Sequence, residues 1–220
     1  MTAAATLTRL QWQQRNHDIA YHSDIWQLPP QRSLTHMTLH QTKYMGALAA
    51  ALSANDAHAV RKLLTDAFAI TLATANILNQ DLSAQVTDCA PKVGDLGGLG
   101  CVLSRTGAAQ CDVFDAQQVT LRYATLCGAM AKACEAFDHA EDYPSRKVMA
   151  TCNADICRLV ISLAAARNID LPNAYQARMA QVEAKAVFNA QIEKTRSDKP
   201  AIAKENAAPD SRRGTIHQHR

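Results

Sequence analysis

Apolar residues return every three to four positions through five long stretches of this chain, separated by short runs of Asn, Asp, Pro and Gly. That spacing follows the turn of an α-helix and not the two-residue alternation of a strand. The segment LTHMTLHQTKYMGALAAALSA places Leu34, Met37, Met45, Leu48 and Leu52 along one side, with Ser33 or Thr35 as its cap. AVRKLLTDAFAITLATANILNQ does the same with Val60, Leu63, Leu64, Phe68, Leu72 and Leu78, behind Asn55 or Asp56. QQVTLRYATLCGAMAKACEAFDHA and KVMATCNADICRLVISLAAARN follow, broken by EDYPSR, and a last helix is expected from Asn173 to about Lys194 after the turn IDLPNA. Aromatics make up only 5% of the residues and alanine recurs throughout, so the expected fold class is all-α.

The net charge of +3 is unevenly placed: residues 194–220 hold seven Lys/Arg against three Asp/Glu, which leaves the remainder at −1. A near-neutral body argues against a broad nucleic-acid surface and leaves the tail as the one electrostatic candidate. No stretch reaches the roughly 20 uninterrupted apolar residues of a membrane span, and Met1 to Arg15 lack a cationic start followed by an apolar run, so no membrane is expected and the expected location is cytoplasmic. Seven cysteines without a CxxC pair signal neither a disulfide framework nor a zinc knuckle. They are expected to be reduced, buried thiols, with a cluster of Cys127, Cys134, Cys152 and Cys157 as the alternative.

The expected organisation has five parts: residues 1–32, a polar lead-in held extended by Pro29-Pro30; 33–86, a first helical hairpin; 87–115, a Gly-rich connector; 116–194, a second hairpin and final helix; and 195–220, a basic disordered tail. The connector carries glycines 94, 97, 98, 100 and 107 but no following Lys-Ser/Thr and no GxGxxG, so it is not a phosphate loop. The two hairpins align with each other. DAFAITLATANILNQDL (66–82) and DICRLVISLAAARNIDL (155–171) superpose without a gap, pairing Asp66 with Asp155, Asn79 with Asn168, Asp81 with Asp170 and Leu82 with Leu171. Upstream, YMGALAAAL (44–52) sits against AMAKACEAF (129–137). Two such hairpins face to face would share one four-helix-bundle core.

GALAAALSANDAHAVRKLLTDAFAITLATANILNQDL and ACEAFDHAEDYPSRKVMATCNADICRLVISLAAARNIDLPNAYQARMAQVEAK resemble the MazG-type all-α NTP pyrophosphohydrolases, over about 34–86 and 120–190. In that family GELAEAL leads to a helix such as ELADVLIYLLRLADRLGIDLEEAV. The resemblance implies two tandem MazG-like hairpins, an EExxE and an ExxD motif holding Mg²⁺, and attack of water on a phosphoanhydride. The motifs are not kept. The second hairpin puts Gly128, Ala129 and Lys132 at the glutamate positions and Cys152 with Asp155 at ExxD; the first puts Lys43, Tyr44 and Ala47, then Leu63 with Asp66.

Asp66 and Asp155 are therefore the metal candidates, sharing one ion near the bundle axis, unless they only accept hydrogen bonds from neighbouring helices. Glu135, Asp138, Glu141 and Asp142 form a dense acidic group at a helix end, expected to be a solvated face. His36, His40 and Lys43 fall on one helical face and are candidates for binding an anion or other ligand; with Asp66 the two histidines form a possible transition-metal set, and the alternative is that the imidazoles cap carbonyls or pair with Asp66. No GxSxG occurs and no cysteine has a local signature with its histidine, which leaves for nucleophilic chemistry a Cys–His pair formed in space, for instance His139 with Cys134.

The expectation for function is a MazG-like protein that has lost Mg²⁺-dependent pyrophosphohydrolysis, needs no cofactor, and binds a nucleotide, another phosphate-containing ligand or a protein partner. The alternatives are an active pyrophosphohydrolase using Mg²⁺ through Asp66, Asp155 and the Glu135–Asp142 group, and a helical scaffold tethered by its tail. A homodimer remains open, and nucleic acid enters only through the tail.

Overall fold

The computed structural model describes residues 1–197, and all regular structure among them is helical. Residues 1–185 form one compact unit and a second begins at Ala186. Four long helices carry the first: α3 (Pro30–Ser53), α4 (Ala57–Leu78), α7 (Ala116–Asp138) and α8 (Ser145–Ala166). α3 packs on α4 and α7, and α8 packs on α7 and α4. Leu48, Leu64, Phe68, Leu72, Tyr123, Met130, Leu159 and Leu163 fill the space between them.

Polar groups register this core. The fully buried Gln41 of α3 accepts the Tyr123 hydroxyl of α7 and donates to the Ala67 carbonyl of α4 at 3.4 Å. Asn153 of α8 donates to the Thr71 carbonyl and to Gln80, each at 3.0 Å. Buried amides tolerate few alternative partners, so each fixes how far one helix slides along the next. α8 is by length and composition apolar enough to cross a membrane, contrary to the sequence expectation of no such stretch; 72% of its apolar window is buried inside the protein.

Corner geometry recurs. Asn55 and Ala140 both take positive φ after α3 and α7, at 52° and 53°, and the following amides, Asp56 and Glu141, each donate at 3.0 Å to a carbonyl five residues back. Asn79 and Asn168 take φ 50° and 54° after α4 and α8, and the amides of Gln80 and Ile169 reach back five residues at 2.9 Å. Asp81 then caps α5 (Leu82–Val86) and Asp170 caps α9 (Leu171–Glu183), accepting from Ala84 and Asn173. From the first pair of corners to the second the residue spacing grows from 85 to 89, because more chain lies between α7 and α8 than between α3 and α4.

Three sequence expectations are corrected. Residues 1–32 are not an extended lead-in: α1 (Ala3–Tyr21), capped by Thr2, lays Leu7 and Leu10 fully buried against α4 and α5, and α2 (Ser23–Trp26) follows. Pro29-Pro30 starts a helix instead of ending one, since a proline in the first turn has no amide to lose, and α3 begins upstream of Ser33 and Thr35. The Gly-rich connector contains α6 (Leu96–Arg105), capped by Asp95, with Leu96, Leu99 and Leu103 buried. A Cβ on Gly100 would stand 2.5 Å from Ala165 Cβ and 2.6 Å from the Ile161 carbonyl oxygen, so glycine there permits close helix contact with α8. Finally, the helix expected over Asn173–Lys194 is two: α9, and α10 (Asn189–Ser197) in the second unit. The expected disordered tail falls on residues 198–220, outside the described residues, apart from 195–197, which end α10.

Candidate functional site

Between α1, α2, α3, α4 and α9 lies a cavity of about 400 Å³. After Leu7 and Leu10, the next inward positions of α1 are the buried Gln14 and His17, which line the cavity beside α4. Ile25, Trp26, Met37, Ile70, Ile77 and Met179 supply apolar walls. Arg15 stacks its guanidinium 4.9 Å from the Trp26 ring.

Four histidines reach the cavity: His17 from α1, His22 from the α1–α2 corner, and His36 and His40 from successive turns of α3. The His36 and His40 rings are 4.5 Å apart, and Tyr44, one turn further, stands 5.9 Å from His40. His17 donates to Glu183 of α9 at 2.9 Å and stacks on Tyr21. Burial, Lys43, His36 and His22 together hold His40 down at about 4, and burial with His17 lowers His22. Both are neutral at pH 7. Asp18 shares the cavity; burial pushes it up to about 7 against the opposing hydrogen bond from Gln14 at 2.7 Å.

At the α4 wall, Asp66 is held by Arg178 of α9, Nε to Oδ1 at 2.6 Å and Nη2 to Oδ2 at 3.3 Å, with Lys62 Nζ at 3.5 Å from Oδ2. The bond from Asp66 keeps Arg178 above its ordinary range.

The structure thus brings together three of the five candidates, His36, His40 and Asp66. Lys43 leaves the row: its ammonium turns to His40 Nδ1 at 3.2 Å and over the Tyr44 ring at 4.3 Å, outside the cavity lining. Asp155 lies elsewhere, bonded by Arg122 and by Arg158 at 2.7 Å each. The two aspartates share no partner. Among the described residues no three of His, Cys, Asp and Glu are grouped to hold a metal ion. Glu135, Asp138, Glu141 and Asp142 are exposed, and Lys132 bonds Glu135 and Glu141 at 3.0 Å.

All seven cysteines are free thiols; Cys127, Cys134, Cys152 and Cys157 are buried, and burial lifts Cys127 to about 11 and Cys157 to about 12. Such thiols are protonated and poor nucleophiles. Cys134 meets Thr38, whereas His139 is exposed beside Glu141.

Sequence reasoning missed His17, Asp18, His22, Tyr44 and Arg178. A signal existed for Arg178. It follows Leu171, Ala174 and Tyr175 on the buried stripe of α9, where a cation is out of place unless it meets a buried anion. Comparison with protein-family models, with curated proteins and with solved structures finds no match.

Proposed function

We propose that the chain is a cytoplasmic MazG-like helical protein that binds a small ligand in the α1–α4–α9 cavity and has lost metal-dependent pyrophosphohydrolysis. The observation that carries this reading is the Asp66–Arg178 pair: the carboxylate the family would give to Mg²⁺ is given to a guanidinium in a two-bond contact. Asp155, its counterpart in the second hairpin, is likewise claimed by two arginines. A divalent ion would have to displace a cation and find further oxygen ligands. The repeated corners at Asn79 and Asn168 and at Asp81 and Asp170 support two tandem hairpins of common ancestry around one four-helix core. Seven free thiols, four buried and, against expectation, Cys89 and Cys101 exposed and Cys111 partly so, suit a reducing compartment.

The test is a panel of NTPs and dNTPs with and without Mg²⁺, read as pyrophosphate release, beside thermal shift with the same compounds and with small uncharged molecules. Stabilisation without turnover supports the reading. Magnesium-dependent turnover that vanishes in Asp66→Ala/Asp155→Ala overturns it in favour of an active pyrophosphohydrolase.

A further inference from the structure

Resting on the reading of this cavity as a ligand site, we propose that its ligand is an uncharged aromatic heterocycle, gripped by rings and thioethers and oriented by imidazoles, and not a nucleotide held through its phosphates. The argument is a charge audit of the lining. Among the described residues Arg178 is the one guanidinium that lines the cavity, and its Nε and Nη2 both bond Asp66. Lys62 lies on the same carboxylate, and Lys43 is outside the lining. His17 is matched by Glu183. His22 and His40 are neutral at pH 7, and the burial of Asp18 favours its protonated form. Among the described lining residues, a phosphate entering this space would lose its water for at most the His36 imidazole, because the guanidinium there is already bonded to Asp66. If it took Arg178, it would strip the partner from Asp66, whose side chain is only 6% exposed. A cationic ligand fares no better, because Asp66 is already neutralised.

What the cavity offers instead is surface and hydrogen bonds. Trp26 and Tyr44, each with a cation already over one face, and the His36–His40 pair present their remaining faces and edges for stacking on a flat solute. Met37 and Met179 add polarizable side chains that adapt to ring edges. A neutral His40, its Nδ1 already accepting from Lys43, keeps its Nε2–H as a donor to a ring nitrogen, and a neutral His22 gives one donor and one acceptor. A volume of about 400 Å³ lies in the range of small-molecule sites.

The chain contains two tryptophans, Trp12 and Trp26, and Trp12 is mostly exposed while Trp26 lines the cavity. A full-length Trp12→Phe protein therefore reports the cavity through Trp26 fluorescence alone. Titration at pH 7.5 would compare indole, quinoline and adenine with AMP, ATP and inorganic phosphate. The expected result is saturable change with at least one uncharged heterocycle, at least roughly tenfold weaker response to the phosphate compounds, and loss of the response in Ile70→Trp, read by calorimetry, with Met179→Ala as a milder second variant. Adenine and AMP binding equally, or AMP binding more tightly, overturns the ligand class while leaving a ligand site standing. Silence from both sets, with a folded protein by circular dichroism, overturns the class and the site together. Binding unaffected by both cavity variants overturns the placement.

Discussion

Arg178 reaches Asp66 from a helix more than a hundred residues downstream, and its Nε lies 2.6 Å from the Asp66 Oδ1. The pair couples α9 to α4 at the edge of the cavity, and because Asp66 is nearly sealed from water, its charge depends on that partner.

Arg178→Met should cost about 2 kcal/mol in urea unfolding, less than the roughly 3–5 kcal/mol seen for fully buried pairs because Arg178 keeps some solvent contact. Asp66→Leu/Arg178→Met should lose less than the sum of the single variants. Additive losses would show that the two side chains act independently.

Asp18 has its folded-state value raised to about 7 by burial, so the folded state holds a proton that the unfolded chain gives up near 4. Its contribution to stability is complete in acid and drains away as pH climbs from about 4 through 7. Asp18→Asn should therefore raise the melting temperature at pH 8 and leave it nearly unchanged at pH 4. The gain is of order 1–2 kcal/mol, since solvent still reaches the group.

His40 acts in the opposite sense. Held at about 4 by burial and by Lys43, His36 and His22, it is neutral in the folded state where the unfolded chain is already protonated. Its contribution is complete above about 6.5 and is lost as pH falls through 4. His40→Gln should flatten the acid limb of a stability–pH curve by an amount measurable as a smaller difference in melting temperature between pH 7 and pH 4.5. An unchanged limb would place the proton uptake on another group.

Gly100→Ala should destabilise by about 2 kcal/mol although alanine favours helices, because the added carbon meets the α8 backbone at Ile161 and the Ala165 side chain. Gly46→Ala, in α3 with no atom within 4 Å of the new carbon, should instead gain about 0.5–1 kcal/mol. Chemical denaturation of the pair separates backbone propensity from close packing.

The long helices were legible because their apolar stripes run unbroken and several of their ends carry written signals, such as Asp56 before α4 and Asn79 after it. α1 was hidden because Gln14 and His17, both in the cavity lining, interrupt its apolar stripe. α6 was hidden because glycine weakens a helix in isolation, and only the approach of Ile161 and Ala165 makes its absence of side chain an advantage. His36 and His40 were found because they sit one turn apart on a stretch already recognised as helical. Lys43 was misplaced since a long flexible stem can leave the face its Cα occupies. His17, His22 and Arg178 required knowing that α1 and α9 dock on the same side of α4, a tertiary fact with no local imprint.

Asn76 on α4 and Ala165 on α8 lie 89 residues apart, as the corner residues Asn79 and Asn168 do, yet one borders the cavity and the other is pressed by Gly100. Ala165 edges a different hollow, of about 450 Å³ between α6, α8 and α9, with no aromatic or histidine side chain in its described lining. A flat ring compound should consequently level off at one molecule per chain, since the second hollow offers it no ring to stack on.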